Sequence, residues 1–262
     1  MPTNRVAENV FGTLGTICWT AQLVPQVWKS YRDKSTQRLS EWLVLSWGIS
    51  GGFFGVYAVV QNLNLPLIIQ PQLSAFLCLI SWGQCIYYSS TRSHYISFSM
   101  VVAAIVALGG FEVGMVFAIR PSANDHAIQF FGIFSSVLLA LSLGAQYYEI
   151  YQRREVVGVS ITFMMVDCLG GVFSDLSLVF KPKFDGVAAI LYTLVIVMDG
   201  VVLLAAIVLN PRARKRRQRS EEIVTTNASS LESGTVPLTT SQQRTLTNLV
   251  ESRRGGLPGE ER

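Results

Sequence analysis

Residues 11–42 read FGTLGTICWTAQLVPQVWKSYRDKSTQRLSEW, and residues 131–162 read FGIFSSVLLALSLGAQYYEIYQRREVVGVSIT. Set one above the other, a shift of 120 positions, they align without a gap. Phe11-Gly12 falls on Phe131-Gly132, Gln26 on Gln146, Tyr31 on Tyr151 and Ser40 on Ser160, while basic Lys34 falls on basic Arg154. The register continues downstream, with Gly51 on Gly171 and Phe53 on Phe173. Identity is low, about one position in five, but hydropathy and loop lengths match as well. The chain is therefore read as two copies of one unit.

Half of the residues are apolar and 15% are charged, against about 25% charged in an ordinary soluble domain. A hydrocarbon core of about 30 Å needs about 20 helical residues at 1.5 Å each. Seven runs meet that length, near 9–28, 41–61, 67–90, 95–119, 129–150, 160–180 and 187–209, and none holds an internal Lys or Arg. The repeat pairs the first three runs with the last three and leaves the fourth as an inversion linker. The expected fold is all-α and membrane-integral, with seven transmembrane helices as two parallel three-helix repeats joined by a linker helix (3+1+3). Residues 1–90 form the first repeat, 91–128 the linker helix and a lumenal loop, 129–210 the second repeat, and 211–262 a disordered basic cytosolic tail. Such repeats build carriers whose site lies between the halves near the midplane. No short apolar core followed by a cleavage site opens the chain, so the first span is expected to remain.

Basic residues gather on the cytosolic side of membrane proteins. Lys29, Arg32, Lys34, Arg38, Arg92, Arg153, Arg154 and the Arg212–Arg219 cluster fall on one side, thirteen in all, and Arg5, Arg120, Lys181 and Lys183 on the other. The N-terminus is thus expected in a lumen and the C-terminus in the cytosol. The Arg212–Arg219 cluster suits a topology anchor against anionic lipid and gives no reason to expect nucleic acid as a partner. From Ser220 onward the chain is rich in Ser, Thr and charge, a composition that cannot bury a core. Cys18, Cys78, Cys85 and Cys168 all fall inside spans and read as small apolar fillers.

Four acids fall well inside spans: Glu112, Asp167, Asp175 and Asp199. Each costs roughly 2.5–3.5 kcal/mol at mid-membrane, and no span offers a Lys or Arg to pair with it. A proton, water in a cavity, or a cationic ligand can resolve that cost. The alternative is a protonated Asp serving as an interhelical hydrogen-bond donor. Asp167 and Asp199 fall near the centres of their spans, and Asp175 lies eight residues beyond Asp167 on a similar face. Pro25 removes a backbone hydrogen bond at the end of the first span, and Gln26 offers an amide for a bond across the bundle. Pro71, between Gln70 and Gln72, loosens the third span in the same way.

The stretch Gln22-Leu-Val-Pro25-Gln26, the Lys34-Ser35 and Leu39-Ser40 steps, and the second copy from Ala145-Gln146 through Val159-Ser160 to Asp167–Ser174 resemble the PQ-loop family. That family includes cystinosin and the lysosomal or vacuolar cationic amino-acid exporters, and the resemblance spans residues 10–209. It implies that the prolines are hinges for alternating access and that acids in the sixth and seventh helices handle protons or substrate. Asp167 and Asp199 match those acids, with Asp175 nearby; Pro25, Gln26 and Gln146 match gate or hinge positions, and Pro71 is added as a hinge on its own kink in the third span. The second copy departs from the pattern in having Ala145 where the first has Pro25.

The resemblance implies an organellar secondary transporter, vacuolar, lysosomal or endosomal. It would export a small solute such as a cationic amino acid together with protons. A sugar uniporter of the SWEET type shares the 3+1+3 plan but needs no buried acid. A receptor or trafficking factor acting through its tail, and a lipid-scrambling factor, are the other readings. Self-association into a homo-oligomer is left open. His94 and His126 lie in loops on opposite sides, and no zinc, phosphate-loop or nucleophile motif appears. Neither an enzyme nor a cofactor or metal site is expected.

Overall fold

A computed structural model describes residues 4–36, 39–89, 93–121, 124–153, 156 and 161–232. Among these the chain forms seven α-helices: α1 (Arg5–Asp33), α2 (Glu41–Val60), α3 (Leu65–Ser89), α4 (His94–Ile119), α5 (Asp125–Arg153), α6 (Ile161–Val179) and α7 (Gly186–Glu232). Asn4 caps α1, its side-chain oxygen accepting from the Val6 and Ala7 amides, as an N-cap residue should. Lys34 ends the helix in the left-handed region at φ 49°. Asn62 takes the same φ in the tight corner between α2 and α3.

Six helices, α2 to α7, are long and apolar enough to cross a bilayer. The first helix carries Glu8, Gln22 and Gln26 along its 29 residues, so its mean apolarity is lower. Of these, Glu8 is buried and Gln22 turns inward to α6. The helix α4 is the most exposed of the six, presenting Phe98, Val106, Val113 and Phe117 outward, as a lipid-facing helix does.

The chain divides into two units, Met1–Asn210 and Pro211–Arg262. Within the second, α7 runs on to Glu232, so the first part of the segment expected to be disordered is helical. Its Arg, Lys, Gln, Glu and Ala are good helix formers, and composition alone does not distinguish a solvated helix from an irregular tail. Residues 233–262 lie outside the described residues.

In the first unit α1 packs on α6 and α3, and α2 packs on α3, α4 and α5. The core gathers Phe54, Val56, Tyr57, Leu67, Phe131 and Tyr192. Two crossings set its tightness. At the α1–α6 crossing, a Cβ on Gly15 would lie 3.1 Å from the Gly170 carbonyl oxygen and 2.5 Å from Ser174 Oγ. At the α2–α5 crossing, Ser50 Oγ donates to the Ser135 carbonyl at 3.0 Å and Ser135 Oγ donates to the Ser50 carbonyl at 2.9 Å. Ser135 stands 120 positions after Gly15, and Gly170 stands 120 after Ser50. The two crossings are thus the same contact in the register of the repeat, made once with glycines and once with hydroxyls returned to carbonyls.

The end of the bundle holding the N-terminus shows a related pairing. Asn64 caps α3, accepting from the Leu67 amide at 3.2 Å, while its Nδ2 donates to Ser177 Oγ at 2.7 Å and to the Glu8 carbonyl at 3.0 Å. Asp185 caps α7, accepting from the Ala188 amide at 3.0 Å, and its Oδ1 also accepts from Tyr57 Oη at 2.5 Å. Ser177 follows Tyr57 by 120 positions and Asp185 follows Asn64 by 121. Each half thus uses the cap of its third helix to hold the second helix of the other half.

Glycine at the α1–α6 crossing should be required. Gly15→Leu is expected to lower the thermal midpoint of the detergent-purified protein, by overpacking worth about 1–3 kcal/mol. Gly110→Ala, whose Cβ would meet nothing within 4 Å, should leave the midpoint unchanged in the same thermal-shift measurement.

Candidate functional site

A cavity of about 90 Å³ opens between the helices, with lining residues from α1, α2, α3, α5, α6 and α7 and none described from α4. That volume admits several waters. Its lining follows the repeat. Trp19 and Leu139, Leu23 and Leu143, Trp47 and Asp167, and Pro71 and Leu191 all line it, and each pair is separated by 120 positions. The cavity therefore lies where the two copies face each other. Ser50 and Ser135, the paired hydroxyls of the α2–α5 crossing, form part of its wall.

Asp167 enters from α6, in the second turn. Gln22 Nε2 on α1 donates to its Oδ1 at 2.7 Å, and Trp19 Nε1 donates to its main-chain carbonyl at 3.2 Å. Pro25, three residues past Gln22, lies within α1, where it removes one backbone donor. Two polar atoms of the lining are buried and unpartnered: Gln22 Oε1, an acceptor, and Trp47 Nε1, a donor. Among the described lining residues Asp167 is the one carboxylate, and none is Lys or Arg.

Asp199 on α7 is fully buried, behind Asp167 rather than in the cavity wall. Its carboxyl is close enough to that of Asp167 for the two to interact. Neither ionised group carries a donor for the other, and both Asp199 oxygens are without a hydrogen-bond partner. A proton on one of the two turns the contact into a hydrogen bond. Tyr147 on α5 packs nearby and donates to the Met198 carbonyl at 2.6 Å.

The remaining expected residues sit apart from this pair. Asp175 Oδ2 accepts from Thr193 Oγ1 at 2.8 Å, while its Oδ1 is buried and unpartnered; it does not line the cavity. Glu112 of α4 is buried and accepts a hydrogen bond from Gln72 Nε2 beside Gly55, joining α4 to α3 and α2. Gln26 Nε2 donates to Ser30 Oγ at 3.5 Å on its own helix. The bond across the bundle at this level comes instead from Gln84 Nε2, which donates to the Val27 carbonyl at 3.0 Å. Gln146 is on α5, and its side chain lies outside the described residues. Pro71 lines the cavity.

Gln22, Trp47, Ser50 and Ser135 carry the polar chemistry of the cavity without having been singled out by function in the sequence. The repeat register held the signal. Position 47 is the 120-shifted partner of Asp167, and positions 50 and 135 are the partners of glycines at the other crossing.

The PQ loop repeat model matches the chain twice, at residues 7–67 and 127–187, in the register of the repeat. An uncharacterized protein of Schizosaccharomyces pombe is 33% identical over 85% of this chain and 79% of its own length. An uncharacterized membrane protein of Saccharomyces cerevisiae is 34% identical over 74% of this chain and 64% of its own. A vacuolar histidine transporter of Saccharomyces cerevisiae is 30% identical over 33% of this chain and 30% of its own.

Loss of the Gln22 amide should be felt through Asp167. Gln22→Leu is expected to destabilise the folded protein by roughly 1–3 kcal/mol, the range for leaving a buried polar partner unsatisfied. Gln26→Leu should cost less. A double-mutant cycle of Gln22→Leu with Asp167→Asn, read by thermal unfolding in detergent, should return a coupling of about 1 kcal/mol.

Proposed function

The chain belongs to the PQ-loop repeat family, and from that premise we propose that it is an organellar secondary transporter that exports an amino acid, a cationic one in particular, together with protons. It is a multi-pass membrane protein. In this reading α1 also spans the membrane, bringing the spans to seven, α1–α3 and α5–α7 are parallel repeats joined by α4, and alternating access proceeds by motion of one repeat against the other. The N-terminus faces the lumen of a vacuole, lysosome or endosome, and the C-terminus faces the cytosol, in keeping with the basic residues that follow the first, third, fifth and seventh apolar runs of the sequence, Arg212–Arg219 among them.

The observation that carries the reading is the pair Asp167–Asp199 beside a cavity whose described lining offers no cation. In an acidic lumen the pair takes up a proton, which supplies the donor that both carboxylates lack. The substrate ammonium binds at Asp167, where Gln22 already donates to the carboxylate. Opening toward the neutral cytosol releases substrate and proton together. Pro25 and Pro71 let α1 and α3 bend during that exchange, with Gln26 and Gln146 at the cytosolic ends of their repeats. Asp175 lies on the lumenal side of Asp167 and serves proton entry. The partial relative that transports histidine in the vacuole supports a basic amino acid as substrate, since an imidazole of pKa about 6.5 is charged in an acid compartment.

The test is uptake of labelled histidine, lysine, arginine and neutral amino acids into proteoliposomes, with and without an imposed proton gradient. Wild type is expected to take up at least one of them faster with the gradient. Asp167→Asn and Asp199→Asn are each expected to lose gradient-driven uptake by about tenfold or more, while Glu112→Gln retains it. Uptake of a hexose instead, indifferent to the gradient, would replace this reading with that of a sugar uniporter.

A further inference from the structure

Beyond the acid pair, the cavity carries a second polar group in a position to choose substrate. Trp47 Nε1 is buried and unpartnered, in a wall that it shares with Asp167 and Gln22. An indole N–H can only donate, and a buried donor left without an acceptor costs about 1–3 kcal/mol. The other donors whose bonds are described here are engaged: Trp19 Nε1 and Gln22 Nε2 on Asp167, and the Ser50 and Ser135 hydroxyls on each other's carbonyls. On the acceptor side stand the Asp167 carboxylate and the unpartnered Gln22 Oε1. Trp47 and Asp167 come from opposite copies, position 47 being the repeat partner of position 167, and Gln22, from the same copy as Trp47, is joined to Asp167 by its amide.

A cavity wall that holds both acceptors and an unpartnered donor matches a small molecule bearing an ammonium group and a carboxylate on one carbon. We propose that Trp47 is a specificity-determining residue whose indole N–H donates to the substrate's α-carboxylate while Asp167 and Gln22 accept from its ammonium group. The inference rests on the amino-acid transport reading above and adds to it the recognition of the carboxylate end. Trp47 selects amino acids over the corresponding amines, which share the cationic groups and lack the carboxylate. Its ring also forms part of the apolar wall, so the N–H contribution must be separated from packing.

The experiment is competition against uptake of the labelled amino acid that the wild-type protein carries in proteoliposomes, with lysine and cadaverine as one competitor pair and arginine and agmatine as the other. For wild type the amino acid should compete about tenfold better than its amine. Trp47→Phe keeps an aromatic ring and removes the N–H. It is expected to weaken the amino acids about three- to tenfold, as for one lost hydrogen bond, and to leave the amines unchanged, so that the preference collapses. Using the ratio within each pair cancels general damage to the carrier, and Trp47→Leu, which likewise removes the donor, is read in the same way if the Phe variant does not yield monodisperse protein. Equal weakening of acid and amine, or an unchanged ratio, overturns the role of Trp47 and leaves the transport reading standing. A wild-type protein that carries no amino acid overturns both.

Discussion

Two close helix crossings determine the rest of the molecule. Between helices in hydrocarbon there is little hydrophobic drive, so association depends on close packing and on hydrogen bonds between helices. The α1–α6 contact uses Gly15 and Gly170, and the α2–α5 contact uses Ser50 and Ser135. Small side chains bring the backbones together, and the serine hydroxyls go to carbonyls across the crossing. Once these contacts are fixed, residues one and two turns away must converge on the space between them. That is where Trp19, Leu139, Trp47 and Asp167 meet.

The same constraint explains the polar groups that span the two copies. A side-chain donor in a low-dielectric interior needs an acceptor or incurs a penalty of a few kcal/mol. Asn64 uses its oxygen to cap α3 and its nitrogen to hold Ser177 and the Glu8 carbonyl. Asp185 caps α7 and accepts from Tyr57. Each cap has a local duty within its helix and a second one across the bundle. Any motion that parted the copies at this end would have to break both cross-bundle bonds, although the helix caps themselves could persist.

Much of this was legible in the sequence. Long apolar runs and the 120-residue register located the helices and paired their segments, because both signals depend on spacing. Asp167 and Asp199 stood out because an acid in an apolar run is costly wherever it points. What stayed hidden were contacts that depend on facing. Gln22 and Gln26 are four residues apart on one helix, yet Gln22 reaches Asp167 whereas Gln26 turns to Ser30. Gln84, distant in sequence, makes the tie to Val27. The helical start of the 211–262 segment was missed because charged residues favour a helix as readily as they favour solvent.

The differences between the copies follow a physical logic. If position 47 were also an aspartate, two carboxyls would face one another across a cavity of about 90 Å³, each with a cost of roughly 2.5–3.5 kcal/mol. Tryptophan at that position supplies apolar wall and a single donor instead. Leu79, the partner of Asp199, and Ala145, the partner of Pro25, remove an acid from one copy and a proline from the other. The second copy therefore concentrates charge while the first carries the interrupted helix. A symmetric scaffold with asymmetric contents gives the cavity unlike polar groups: the acceptors Asp167 and Gln22 and the donor Trp47. A ligand with a positive and a negative end can satisfy acceptors and donor at once, whereas a ligand of a single charge leaves one kind unsatisfied.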